Sequence, residues 1–93
     1  MQGTVHLVGI AERTRIELSP DGTDSITINL RLPKAMIHVK AFGPPDVIAS
    51  LNASICDGMM ISARGRLMGR NTHYVRAEPG RIRIIKTQRG NTG

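Results

Sequence analysis

Apolar and polar residues alternate along most of the chain, and this two-residue period predicts a protein built of strands. Thr4 to Ile10 and Thr14 to Leu18 are short runs of β-branched and apolar residues interrupted near Gly9, where a bulge or bend is expected. They read together as one long, bent first strand. Ser19-Pro20-Asp21-Gly22 predicts a turn, because proline presets one backbone angle while Asp and Gly tolerate the others. From Ser25 to Leu32 the alternation is clean. Ile26, Ile28, Leu30 and Leu32 point inward, and Thr27, Asn29 and Arg31 point to the opposite face. Pro33-Lys34 ends this second strand. A third runs from Met36 to Phe42, with Ile37, Val39 and Ala41 on one face and Met36, His38, Lys40 and Phe42 on the other.

The period then changes. Gly43-Pro44-Pro45-Asp46 breaks the strand, and a proline near the first helical position with an acid beside it is a helix start. Val47, Ile48, Leu51 and Ile55 recur at helical spacing, which predicts one helix of about ten residues, closed by Asp57-Gly58. The fourth strand follows from Met59 to Met68. In it Ile61, Ala63, Gly65 and Leu67 alternate with Met60, Ser62, Arg64 and Arg66, and Gly65 predicts a sharp bend. After a connection from Gly69 to His73, Tyr74 to Ala77 and Arg81 to Lys86 supply a fifth strand broken at Pro79-Gly80.

Five strands with a short helix between the third and fourth, in a basic chain of 93 residues, match the partly open Greek-key barrel called the OB-fold. The expected fold is therefore all-β, a five-stranded Greek-key OB-fold barrel over residues 1–86 followed by a short polar tail, 87–93. No repeat, low-complexity stretch or linker divides the chain. A domain of this length buries only roughly 60–65% of the surface its unfolded form exposes, so there is room for one small core. The single cysteine, Cys56, cannot form an internal disulfide, and its place near the helix end suggests a small buried residue. Packing alone must hold the core.

Charge adds the first indication of a partner. Thirteen Lys and Arg against seven Asp and Glu give a net +6, which favours a polyanion such as nucleic acid. Eleven of the thirteen basic residues lie at or after Arg31, whereas four of the seven acids fall in the first twenty-four positions, so the field is expected to be lopsided. No apolar run reaches the roughly eighteen residues of a membrane helix, and the opening MQGTVHLVGIAERTR lacks the layout of a signal peptide. A cytoplasmic protein without a membrane partner is expected.

Strand parity nominates a ligand face. Arg31, His38, Lys40, Phe42, Arg64 and Arg66 share the non-core parity of their strands. Arg70 and His73 sit in the connection after the fourth strand, where OB-folds commonly extend their groove, and Tyr74 and Arg76 continue onto the fifth. Such a cluster would track a phosphate backbone. Parity alone does not separate a groove from the rest of a solvated exterior. Other chemistry is sparse. His6, His38, His73 and Cys56 show no metal-ligand spacing, and no nucleophilic triad, phosphate-cradling loop or carboxylate pair is legible. No metal, no cofactor and no enzymatic activity are expected. Asn52-Ala53-Ser54 fits a glycosylation acceptor but lies in the predicted helix, where chance is the better account. Met59, Met60 and Met68 read as core or subunit contacts.

The run Ile37-His38-Val39-Lys40-Ala41-Phe42-Gly43, then a helix, then Gly58-Met59-Met60-Ile61-Ser62-Ala63-Arg64-Gly65-Arg66-Leu67, resembles the third strand, helix and fourth strand of bacterial and phage single-stranded DNA-binding proteins. Val5-His6-Leu7-Val8-Gly9-Ile10 is similar to that family's first strand, and the primosomal replication proteins that share the barrel are a close second. The resemblance implies a strand lying across the face opposite the core, with bases stacked on aromatic side chains and phosphates held by Lys and Arg. Phe42 sits where the family keeps an aromatic. Two departures matter. The chain has no Trp and only Phe42 and Tyr74 as aromatics, with Met36 where the family often has Trp, although a guanidinium from Arg31, Arg64, Arg66 or Arg76 can substitute in part. The end, Gln88-Arg89-Gly90-Asn91-Thr92-Gly93, also lacks the acidic, hydrophobic-tipped segment by which the bacterial family recruits replication and repair partners.

The expectation is thus a non-enzymatic, largely sequence-independent binder of single-stranded DNA in replication, recombination or repair. The alternatives are an RNA-binding OB module, and a protein-interaction module of the primosome or replisome with weak nucleic-acid affinity. A barrel this small leaves strand edges and apolar exterior for a second copy to cover, and the resemblance implies a homodimer or homotetramer.

Overall fold

The computed structural model describes residues 3–69 and 73–86. Five strands and one helix follow in the order β1 (Thr4–Glu17), β2 (Asp24–Leu32), β3 (Ala35–Gly43), α1 (Pro45–Ser54), β4 (Met60–Met68) and β5 (Tyr74–Lys86). The strands pair in the order β1-β2-β3-β5-β4, and β4 returns to β1, so the sheet closes on itself. The long first strand makes closure possible. Its first half, Thr4 to Ile10, pairs with β4, and its second half, Ile10 to Glu17, pairs with β2. All pairings are antiparallel except the short one between β3 and β5, which joins His38, Val39 and Lys40 to Tyr74, Val75 and Arg76.

Alternation places the core as the hydropathy pattern predicts. Ile26, Ile28 and Leu30 of β2, Val39 and Ala41 of β3, Ile61 and Ala63 of β4, and Val75 and Ala77 of β5 are buried inside the ring. Each fully buried isoleucine, leucine or valine contributes about 1.5–3 kcal/mol relative to an exposed one. The buried core is wholly aliphatic. Helix α1 starts at Pro45, whose fixed φ suits the first turn, with Asp46 beside the positive end of the helix dipole. It touches β1, β2, β3 and β5 and contributes Ile48, which is completely buried. Thr14 Oγ1 donates to Asn52 Oδ1 at 2.8 Å, tying the helix to β1.

Three local features differ from the sequence-based expectation. The irregularity in β1 lies between Glu12 and Thr14, not near Gly9. Arg13 adopts a φ of 49°, unfavourable for a residue with a Cβ, and its N–H donates to Asp57 Oδ1 at 2.8 Å, which compensates. Gly9 stays in register opposite Ile61. Glycine is needed there because a Cβ would come within 2.6 Å of the Arg31 carbonyl oxygen. Second, Pro79-Gly80 does not break β5. Gly65 pairs with Ala77 and Ala63 with Ile82, so Glu78 to Arg81 form a bulge in a continuous strand, where a proline needs no ladder hydrogen bond. Third, Cys56 is exposed, because Ile55 takes the buried place at the helix end and the chain turns at Asp57-Gly58. Among the described residues no helix is long and apolar enough to cross a membrane.

Candidate functional site

Strand register decides which side chains become neighbours. Across the outer face, Thr27, Lys40, Arg76, Arg66 and Thr4 stand side by side on β2, β3, β5, β4 and β1. Three consecutive members of this row are cations. The next row along the strands holds Asn29, His38, Tyr74 and Met68. Phe42 and Tyr74, the only aromatic residues in the chain, are half-buried on this outer face and absent from the core. Aromatic side chains are the largest apolar groups available to a small core. Keeping both outside leaves their rings available to something other than packing.

Like charges directly opposite one another destabilise a sheet by roughly 0.2–1 kcal/mol. The row relieves this by leaning two of its three cations onto rings one register step away. Lys40 Nζ lies 5.3 Å from the centroid of Tyr74, and Arg76 Cζ lies 4.6 Å from the centroid of Phe42. Each contact contributes about 0.5–1 kcal/mol at an exposed site, comparable to the repulsion it offsets. The rings hold the cations in place without neutralising them. Their charge remains free for an anion.

Beside the row is an open groove of about 940 Å³, lined by Phe42, Arg64, Arg66, Arg76, Arg81 and the Glu78-to-Gly80 bulge, with Pro44 and Val47 from the start of α1. Among the described residues its lining carries four arginines against one carboxylate, Glu78. Gly65 forms its floor. A Cβ there would collide with the Arg76 carbonyl, so glycine lets β4 and β5 approach closely beneath the arginines.

The sequence-nominated residues separate into groups. Lys40, Tyr74, Arg76 and Arg66 come together in the two rows, Phe42 stands opposite Ser25 one step beyond the cation row and meets Arg76, and Arg64, opposite His6, joins them through the groove. His38 is exposed in the aromatic row between Asn29 and Tyr74. Arg31 stands apart, opposite Met36 near the tip of the β2–β3 hairpin, and its Nε is 2.7 Å from Glu12 Oε2. That pair is the one ion pair found among the described residues. Arg70 lies outside the described residues, and His73 is exposed just before β5. Arg81 and Thr4 line the groove but were not nominated. Arg81 opens the second stretch of the expected fifth strand, and only Pro79-Gly80 taken as a bulge instead of a break brings it to the groove beside Arg66 and Arg76.

The arrangement presents a row of cations with apolar and aromatic surface beside it. Compared with models of known families and with curated proteins, the chain matches none.

Proposed function

We propose that the protein is a non-enzymatic, largely sequence-independent binder of single-stranded DNA, acting in replication, recombination or repair, and that its ring of strands is an OB-fold barrel of Greek-key connectivity. The fold reading is supported by the element order, by the helix between β3 and β4, and by the parallel β3–β5 pairing that closes the ring. One observation carries the functional reading: the uncompensated row of Lys40, Arg76 and Arg66 beside two outward aromatics. Extended single strands offer both a phosphate chain and unpaired bases, matching a cationic groove with stacking surface. A duplex presents its phosphates but keeps its bases stacked inside. Exposed Val8, Met36 and Ile85 support self-association into a dimer or tetramer, which light scattering measures.

The deciding experiment is fluorescence anisotropy of labelled single-stranded DNA, matched RNA and duplex DNA titrated with the protein at several salt concentrations. The expected result is preference for single-stranded DNA. If Lys40, Arg64, Arg66 and Arg81 each engage one phosphate, log affinity falls against log salt with a slope of about −2.8. Tighter binding of RNA converts the reading to an RNA-binding module. Absence of binding to any strand at low salt overturns it in favour of a protein partner.

A further inference from the structure

Resting on that nucleic-acid reading, we propose that one base of the bound strand stacks on the guanidinium of Arg76, and that Phe42 is a positioning residue that holds this guanidinium rather than the platform itself. The two aromatics of the outer face are covered differently. Tyr74 is covered by the ammonium of Lys40, a compact and strongly hydrated point charge that offers no plane for a base. Phe42 is covered by the guanidinium of Arg76, which is planar, more weakly hydrated and able to stack.

Geometry favours the composite. Phe42 is half-buried and Arg76 is exposed, with Cζ 4.6 Å from the ring centroid. A base arriving from solvent on that side meets Arg76 before it meets the ring. Electrostatics hold the guanidinium there. Lys40 and Arg66 flank Arg76 in the register row and repel it from either side, while the ring attracts it. Arg76 is thus fixed before binding, so little side-chain freedom is lost when a base lands on it. A chain with so few aromatics obtains a base platform from one arginine and one phenylalanine together.

The test compares wild type, Arg76→Lys, Phe42→Leu and the double variant, by anisotropy with a labelled single strand and with a matched abasic strand of the same length. Arg76→Lys keeps the charge and removes the plane. It is expected to weaken binding of the base-bearing strand on the order of tenfold, within the range that loss of one stacked base gives. Its salt slope and its affinity for the abasic strand are expected to stay within about twofold of wild type. Phe42→Leu is expected to weaken base-bearing binding less, and the double variant no more than Arg76→Lys alone, because both changes remove one platform. Wild-type affinity in Arg76→Lys with a larger loss in Phe42→Leu would make the ring the platform and overturn the inference. Additive losses would make them independent sites and also overturn it. If Phe42→Leu melts below the assay temperature, the base-bearing against abasic comparison for Arg76→Lys decides alone. Failure of wild type to bind any single strand would instead sink the parent reading.

Discussion

The outer faces of β1–β2 and of β3–β5–β4 use similar residues and treat their charge in opposite ways. On the first, Arg31 is held by Glu12 at 2.7 Å, and Thr27 and Asn29 supply uncharged polar cover. On the second, Lys40, Arg76 and Arg66 stand in one row, with rings beside Lys40 and Arg76 and no carboxylate paired with any of the three among the described residues. An arginine is therefore not a ligand residue by type or by strand parity. What matters is whether the fold has already given it an anion. Arg31 on the first face already has one, and among the described residues Lys40, Arg76 and Arg66 on the second do not.

The comparison can be broken most severely by charge reversal. Lys40→Glu with Arg66→Glu is expected to lower affinity for single-stranded DNA by at least a hundredfold at low salt, whereas Arg31→Glu should change it by less than about threefold. Anisotropy titrations of the two variants check this, and equal losses would erase the distinction between the faces. Next in size are the glycines that let strands close under each face. Gly65→Ala and Gly9→Ala should each destabilise by about 1–3 kcal/mol in denaturant melts, since the added methyl meets a backbone carbonyl in both places. Only Gly65→Ala should also weaken DNA binding, because it lies beneath the groove.

A smaller effect carries opposite signs on the two faces. Arg66→Gln relieves like-charge repulsion and is expected to stabilise by roughly 0.2–1 kcal/mol at low salt, a rise of about 1–8 °C in Tm that fades as salt is added. Arg31→Gln removes an attractive partner from Glu12 and should lower Tm slightly. Calorimetry at two salt concentrations reads both signs at once. The smallest effect belongs to the β1–β2 turn. There Asp21 Oδ1 accepts from the Thr23 N–H at 2.9 Å and from Ser19 Oγ at 2.8 Å, and these bonds hold its pKa below the usual carboxylate value. The lowered pKa means that the turn's contribution is complete above the ordinary carboxylate range and is lost as pH falls through the depressed value. Acid-dependent amide shifts confined to Ser19 through Thr23 are expected by NMR, without a matching change on the cationic face.

Strand parity made much of this legible in advance. Ile26, Ile28 and Leu30 alternate so regularly that their burial follows from the two-residue period, and Pro45 marks the helix start by its backbone angle alone. The outward orientation of Lys40 and Phe42 follows from the same period. What escaped depends on contacts between distant segments. The β1 bulge sits at Arg13 because Asp57, beyond the helix, captures its N–H. Arg31 differs from Arg66 because Glu12 lies across the β1–β2 ladder, and a single-strand pattern carries no information about pairing partners. Arg81 reaches the groove only because β5 bulges over Glu78 to Arg81 while remaining a strand.

The short parallel pairing between β3 and β5 also governs how the ring opens. Three residue pairs join these strands, whereas β2 and β3 are paired along nine. In hydrogen-exchange terms, the seam has the fewest ladder bonds to protect it and should be the first line along which amides become labelled. Two of its three pairs, His38 with Tyr74 and Lys40 with Arg76, are also pairs of the outer-face rows. A strand laid across that face would bridge the opening line, so that amides of β3 and β5 gain protection on binding while those of the β1–β2 hairpin exchange as before.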